Sequence, residues 1–205
     1  MKTIVITILS IVFGIGIYAQ NAKSVNDAKG LSVGFEAPMF VAKDAHNNEF
    51  SLSESLKNGP VVIIFYRGNW CPVCTKHLSK IQDSLNLITK TGATIVAVSP
   101  EKSTNMEKMK EKTGARFSLL YDDGYKISKA FDVNFDPSKG ETRKYNMFLG
   151  ANLKEANSNE SPQLPIPATY VINKDGIISW RHFDPNYKNQ ASVKDIIIAL
   201  AHSHR

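Results

Sequence analysis

VVIIFYRGNWCPVC, residues 61–74, carries a continuous apolar run straight into two cysteines three positions apart. The run Val61–Tyr66 is β-branched or aromatic at every position rather than at alternate ones, as expected of a strand buried on both faces of a sheet. Pro72 follows Cys71, and proline suits the first turn of a helix, where its missing N–H would have no partner. The stretch therefore reads as strand, turn and helix. It places Cys71 at a helix start and at the carboxyl end of a buried strand, where α/β sheets open their ligand crevices.

Working outward, Cys74, Leu78, Ile81, Leu85 and Ile88 recur at intervals of 4, 3, 4 and 3. That is one face of a single helix running to about Lys90 and closed by Gly92. ATIVAVS, residues 93–99, is a second buried strand, and strand, helix, strand implies parallel pairing through a right-handed crossover. The alternation continues with a helix over 103–113, a strand over 117–121 and a short helix over 125–131. Residues 134–165 are polar and show only one short element, around 145–149. ATYVIN (168–173) and IISWRHF (177–183) flank the turn signal Lys174-Asp175-Gly176, and 192–203 form an amphipathic terminal helix. Before the central strand, a short strand pair is expected at 39–43 and 49–52 across the turn residues 46–48. A helical turn at Ser53–Leu56 follows, stopped by Asn58-Gly59-Pro60. The sum is one α/β domain over 34–205: a central mixed β-sheet flanked by helices, parallel in its middle and antiparallel at one edge.

The N-terminus has a different character. Lys2 precedes an apolar run from Ile4 to Ile17, then Tyr18, Ala19 and the polar segment QNAKSVNDAKG. This order predicts a signal peptide over 1–19, a flexible linker over 20–33, and export to a bacterial periplasm or the medium with no membrane attachment after cleavage. An uncleaved anchor is the alternative, although the run falls short of the roughly 20 residues that span a bilayer. Over the whole chain of 205 residues, 42% hydrophobic and 21% charged residues describe a folded domain with a real core. The net charge of +6 comes from Lys and Arg interspersed with acids, as in EKMKEK at 107–112. That is a solvated helix face rather than a nucleic-acid footprint.

Cys71 and Cys74 are the chain's two cysteines. As a structural staple they would close too small a loop to stabilise much. As zinc ligands with His77 they would still need a fourth donor, and no second Cys/His pair exists; His77 itself reads as a partly exposed helix residue. Thr75 excludes covalent haem, which needs His directly after the second cysteine. As a reactive pair they are well placed. Free N–H groups and the helix dipole favour a Cys71 thiolate, while Cys74 lies one turn deeper on the apolar stripe. Cys71 would attack and Cys74 would resolve.

With FYRGNWCPVC at 65–74, VGFEAPMF at 33–40, VAVSPE at 96–101 and LPIPATYVINKDGIISWRHFDPNY at 164–187, the sequence resembles the thioredoxin-like superfamily, specifically the peroxiredoxin-like branch of the AhpC/TSA family. The resemblance covers most of 34–200. It implies a thioredoxin-like fold and a thiol peroxidase in which hydrogen peroxide or an organic hydroperoxide oxidises Cys71. Cys74 then condenses with the sulfenic acid, and a thioredoxin-like protein restores the dithiol. Neither a metal nor an organic cofactor is implied. The sequence departs from the family's Pro-x-x-x-Thr-x-x-Cys motif, because Ile64 and Gly68 stand at the Pro and Thr positions. The family's peroxide-polarising Arg before the late strand is replaced by Pro167. Arg67, four residues before Cys71, is the candidate to supply that charge, its alternative being a pair with an acid at the strand end. Trp70 would wall the nucleophile or simply pack. Pro167 matches the cis-proline of thioredoxins, which offers backbone to a bound substrate, so an Ile166–Pro167 cis bond is expected. Together with the CxxC spacing it leaves a second reading open, a thioredoxin-like thiol-disulfide oxidoreductase acting on protein disulfides. A non-catalytic binding module of the same fold is the third.

Overall fold

The computed structural model of the chain describes residues 23–203, so the expected signal peptide lies outside the described residues. Two short strands, β1 (Val41–Lys43) and β2 (Glu49–Ser51), pair antiparallel and lead into α1 (Leu52–Leu56), capped by the Ser51 hydroxyl. Next come β3 (Val61–Phe65), α2 (Pro72–Asp83), α3 (Leu85–Thr89), β4 (Thr94–Ser99), α4 (Ser103–Thr113), β5 (Ser118–Tyr121) and α5 (Lys126–Ala130). The remainder is β6 (Asn134–Phe135), α6 (Lys139–Leu149), α7 (Leu153–Ala156), β7 (Leu164–Pro165), β8 (Ala168–Ile172), β9 (Ile178–Phe183) and α8 (Val193–His202).

The main sheet has the order β5-β4-β3-β8-β9. β3 pairs parallel with β4, and β4 with β5, while β8 and β9 add antiparallel. β3 is thus central, and every residue in it is buried, as its unbroken apolar run requires. Side chains alternate across a strand. Val62, Ile64 and Tyr66 accordingly enter one core, with Leu78 and Ile81 of α2, Met106 and Met109 of α4, and Ile196 and Leu200 of α8. Val61, Ile63 and Phe65 enter the other, beneath α1 and α5. In that second core the Phe131 ring lies 5.3 Å from Phe65 and 5.1 Å from Tyr170.

Three segments differ from the sequence reading. The helix expected to run unbroken to Lys90 divides at Ser84, whose φ of −104° and ψ of 9° leave the helical basin. Its N–H is shared between the carbonyls of Lys80 and Ile81, and the apolar spacing carries on across the break. Residues 134–165 hold far more than one short element. α6 begins with a capping box in which Ser138 accepts from the Glu141 N–H and the Glu141 carboxylate accepts from the Ser138 N–H. Its apolar residues at 145 and 147–149 are only part of a three-turn helix, and β6 and β7 are two-residue strands with no periodicity to read.

Residues 23–33, read as part of a linker, lie against the domain. The Gly30 and Leu31 N–H groups donate to the carbonyls of Asp132 and Phe131 at 3.0 and 3.1 Å. Arg181 Nη1 donates to three successive carbonyls, those of Lys29, Gly30 and Leu31. Lys23 pairs with Asp132, and Ala28 is buried. The segment is held through its backbone rather than by an apolar face, which is why its composition resembles a tether. Gly30 has φ +63°, and a Cβ there would stand 2.7 Å from the Tyr170 hydroxyl, so a side chain is excluded on both grounds.

Truncating Phe131 to alanine removes the ring shared by Phe65 and Tyr170. It should lower the unfolding free energy by about 3–5 kcal/mol, read as a reduced urea midpoint with an unchanged slope.

Candidate active site

Beyond β3 the chain continues as a ladder for one more bond, from the Tyr66 N–H to the Val98 carbonyl, and then turns through Arg67–Trp70. Cys71 is the N-cap of α2: its extended backbone precedes Pro72, and its sulfur accepts the Cys74 N–H at 3.3 Å. The two cysteines form a disulfide with their Cα atoms 5.3 Å apart, and both are fully buried. A sulfur at an N-cap faces the positive end of the helix dipole, so in the reduced protein the Cys71 thiolate is the favoured anion.

Arg67 is the second component. It is only 1% exposed, and its Nη2 donates to Cys71 Sγ at 3.3 Å. Among the described residues no carboxylate lies within ion-pair distance of it, so the expected alternative of an acid at the strand end is not what the structure contains. Aromatic rings surround the guanidinium instead: Tyr187 at 3.7 Å, Trp70 at 5.0 Å and Tyr145 at 5.1 Å. The rings come from the β9–α8 loop, the cysteine turn and α6. Burial lowers the Arg67 pKa from its ordinary value, opposed by the hydroxyls of Tyr145 and Tyr187. A guanidinium nevertheless stays charged. Trp70 packs against Tyr145, with the ring centroids 5.3 Å apart.

The turn itself is held by a residue that the sequence reading passed over. Glu101, wholly buried just after β4, accepts from the Asn69 N–H at 2.7 Å and from Asn69 Nδ2 at 2.9 Å. Lys112 donates to the Asn69 carbonyl and side-chain oxygens at 2.8 and 3.0 Å. Burial raises the Glu101 pKa to about 7 against the pull of those hydrogen bonds and of Lys112. Its sequence signal was present in VAVSPE: a carboxylate directly after a buried strand, at the sheet end that carries the cysteines. Glu101 also explains Gly68. A Cβ there would lie 2.7 Å from Glu101 Oε1 and would collide with Trp70 Nε1, so no threonine fits.

Two expectations are corrected. The Ile166–Pro167 bond is trans, since there is no cis peptide among the described residues. Ile166 donates its N–H to Val133, and Pro167 is buried just before β8, where continuing the β3–β8 register sets it beside Tyr66. His77 is buried, not partly exposed. Its Nε2 bonds the Ala191 carbonyl at 2.9 Å, and burial lowers its pKa to about 4, so it is a neutral anchor between α2 and the segment preceding α8. No cluster of three metal-ligating side chains occurs among the described residues.

This arrangement can be set beside known proteins. Residues 33–181 match the model of the AhpC/TSA family. The chain belongs to that family. It is 30% identical over 162 residues to the chloroplastic peroxiredoxin Q of Suaeda salsa, covering 79% of this chain and 64% of that protein. It is 34% identical over 103 residues to peroxiredoxin Bcp of Bacillus subtilis, covering 50% of this chain and 65% of that one. Among solved structures, peroxidoxin BcpB of Mycobacterium tuberculosis superposes with a TM-score of 0.66 at 20% identity, over 83% of this chain and 97% of that one. The fold is the thioredoxin-like fold of the peroxiredoxins, and the cysteine pair occupies the end of its central strand.

Glu101 and His77 act oppositely on stability. Glu101 binds its proton more tightly in the folded state, so its contribution is complete below about pH 4.5 and is lost as pH rises toward 7. His77 binds its proton more weakly when folded, so its contribution is complete above about pH 6.5 and is lost as pH falls toward 4. Between pH 4.5 and 6.5 the two slopes oppose each other. Glu101→Gln should therefore show stability rising more steeply with pH than the parent across this window, measured by urea unfolding at half-unit steps.

Proposed function

We propose that this member of the AhpC/TSA family is a thiol peroxidase in which Cys71 attacks the peroxide, Cys74 resolves, and a thioredoxin-like protein returns the electrons. The observation that carries the reading is the contact of 3.3 Å between Arg67 Nη2 and Cys71 Sγ, made by a buried cation that no carboxylate neutralises among the described residues. Such a donor favours the thiolate before reaction and the departing oxygen during it.

In the reduced protein the Cys71 thiolate forms a bond to one peroxide oxygen while the O–O bond breaks. The leaving hydroxide or alkoxide develops its charge beside Arg67 and departs as water or an alcohol after taking up a proton. Cys71 is left as the sulfenic acid. The Cys74 thiolate then attacks that sulfur, forming the disulfide as the S–O bond breaks, and the expelled hydroxide takes up a proton and leaves as water. Two electrons from the reductant complete the cycle. Trp70 and Pro167 contribute the wall and floor that a hydroperoxide meets, and Trp70, Tyr145 and Tyr187 keep Arg67 oriented. Hydrogen peroxide and organic hydroperoxides are both within the chemistry. The apolar run at 4–17 supports an exported protein, for which the N-terminal residue of the secreted chain is the check.

The second reading, exchange with protein disulfides, is favoured by the CxxC spacing. Stopped-flow mixing of the reduced protein with hydrogen peroxide and with a disulfide-bonded peptide separates the two. Fast loss of thiol with peroxide, and sulfenic acid trapped on Cys71 in a Cys74→Ser variant, is the expected result. Slow peroxide reaction with rapid peptide exchange would assign the pair to disulfide exchange. Within the peroxidase reading, Arg67→Met should slow peroxide oxidation by about 10²–10³-fold, the scale for losing one preorganised donor. It should also raise the pH at which Cys71 alkylates.

A further inference from the structure

The two faces of the disulfide differ. On the Cys71 side lie Arg67 and its three rings. On the Cys74 side stands a partly exposed side chain, Gln190, whose Nε2 lies 4.0 Å from Cys74 Sγ and donates to the Tyr187 carbonyl. Next to Gln190 opens a groove of about 830 Å³ between α2 and the segment leading into α8. Pro72, Val73 and Ala191 give it an apolar lining, and Lys76, Lys80 and Lys188 rim it. The lysines are exposed, and among the described residues none is within ion-pair distance of a carboxylate. Asp83, at the far end of α2, is the one acid along the lining.

The chemistry of exchange points the same way. In thiol–disulfide exchange the sulfur that leaves is the one whose thiolate is better stabilised. Here that is Cys71, which accepts from Arg67 and from the Cys74 N–H, both at 3.3 Å. The sulfur to be attacked is therefore Cys74, which Gln190 of the groove lining contacts.

We propose that this groove is the docking surface for the reducing partner, a dithiol protein whose reactive cysteine is set in an acidic surface. The proposal rests on the dithiol cycle described above. An apolar lining with a rim of uncompensated lysines suits an apolar loop flanked by carboxylates, and rim charges of this kind act mainly on the rate of encounter. On docking, Gln190 swings aside and the partner's thiolate attacks Cys74 Sγ. A mixed disulfide forms between the partner and Cys74, and Cys71 leaves as its thiolate. The partner's second thiolate then attacks its own bridged sulfur and releases the Cys74 thiolate, which takes up a proton. The partner ends as the disulfide, having given two electrons.

The test starts from the disulfide form with no peroxide present, so its outcome does not depend on whether peroxide is the substrate. The probe is a thioredoxin of acidic net charge, with dithiothreitol as the small neutral comparison, and the reduced form of this protein is followed against time by acid quenching, alkylation and intact mass. In the parent, reduction by the thioredoxin should slow steeply between about 20 and about 300 mM salt. Lys76→Glu/Lys188→Glu should cut that rate by about tenfold and abolish the salt dependence. Lys43→Glu/Lys174→Glu, with the same change in net charge elsewhere, should leave it unchanged, and reduction by dithiothreitol should match in all three proteins. With a thioredoxin lacking its resolving cysteine, peptide mass spectrometry should find the mixed disulfide on Cys74. Equal slowing by both double variants, no slowing by either, or a mixed disulfide on Cys71 would overturn the assignment.

Discussion

A buried cation with no carboxylate within ion-pair distance among the described residues is the constraint around which this active site is arranged. Removing a guanidinium from water is costly unless other groups replace the solvation it loses. In this protein the replacement is three aromatic faces and one cysteine sulfur. A carboxylate partner would have stabilised Arg67 more simply, but it would also have consumed the charge. Ring faces leave the positive field directed at whatever anion forms at Cys71. Three separate pieces of chain must be in place for this to hold: the cysteine turn with Trp70, α6 with Tyr145, and the loop before α8 with Tyr187. Their positions are therefore part of the chemistry.

Much of this was legible in the sequence, and unevenly so. The βαβ core could be read because a strand buried on both faces and a helix with one apolar stripe each impose a period on the chain. Cys71 as a helix N-cap followed from Pro72 alone. Arg67 was found by its distance along one turn. Glu101, Tyr145 and Tyr187 were not found, because they reach the site from segments 30 or more residues away, and no local pattern encodes that approach. α6 was underestimated because none of its residues is fully buried. A helix that only half-covers its neighbours has no apolar stripe to reveal it, and the signal that remained was the Ser138–Glu141 capping box. Residues 23–33 were misread for a related reason. Their attachment runs through backbone carbonyls and Arg181, and neither has a composition.

The disulfide has two unlike sides. On one side lie an arginine and three rings, on the other a partly exposed glutamine beside a lysine-rimmed groove. Under the proposed cycle this separates the oxidising and reducing half-reactions in space. The small oxidant is handled next to the buried charge, and the large reductant is met at the surface. One short segment, 187–191, borders both sides through Tyr187 and Gln190. His77 bonds the Ala191 carbonyl at its end, so one short segment carries both the ring over Arg67 and the side chain next to Cys74.

The collision space around Gly68 has a consequence for how the protein can vary. The atoms that would meet a side chain there belong to Trp70 and Glu101, and Glu101 is in turn the anchor of Asn69. These positions form one interdependent set. A side chain at 68 has no room while Trp70 and Glu101 keep this placement, so a hydroxyl residue there requires those two side chains to move or to be replaced. What can stand at position 68 is therefore set by what stands at 70 and 101, two residues from different parts of the chain.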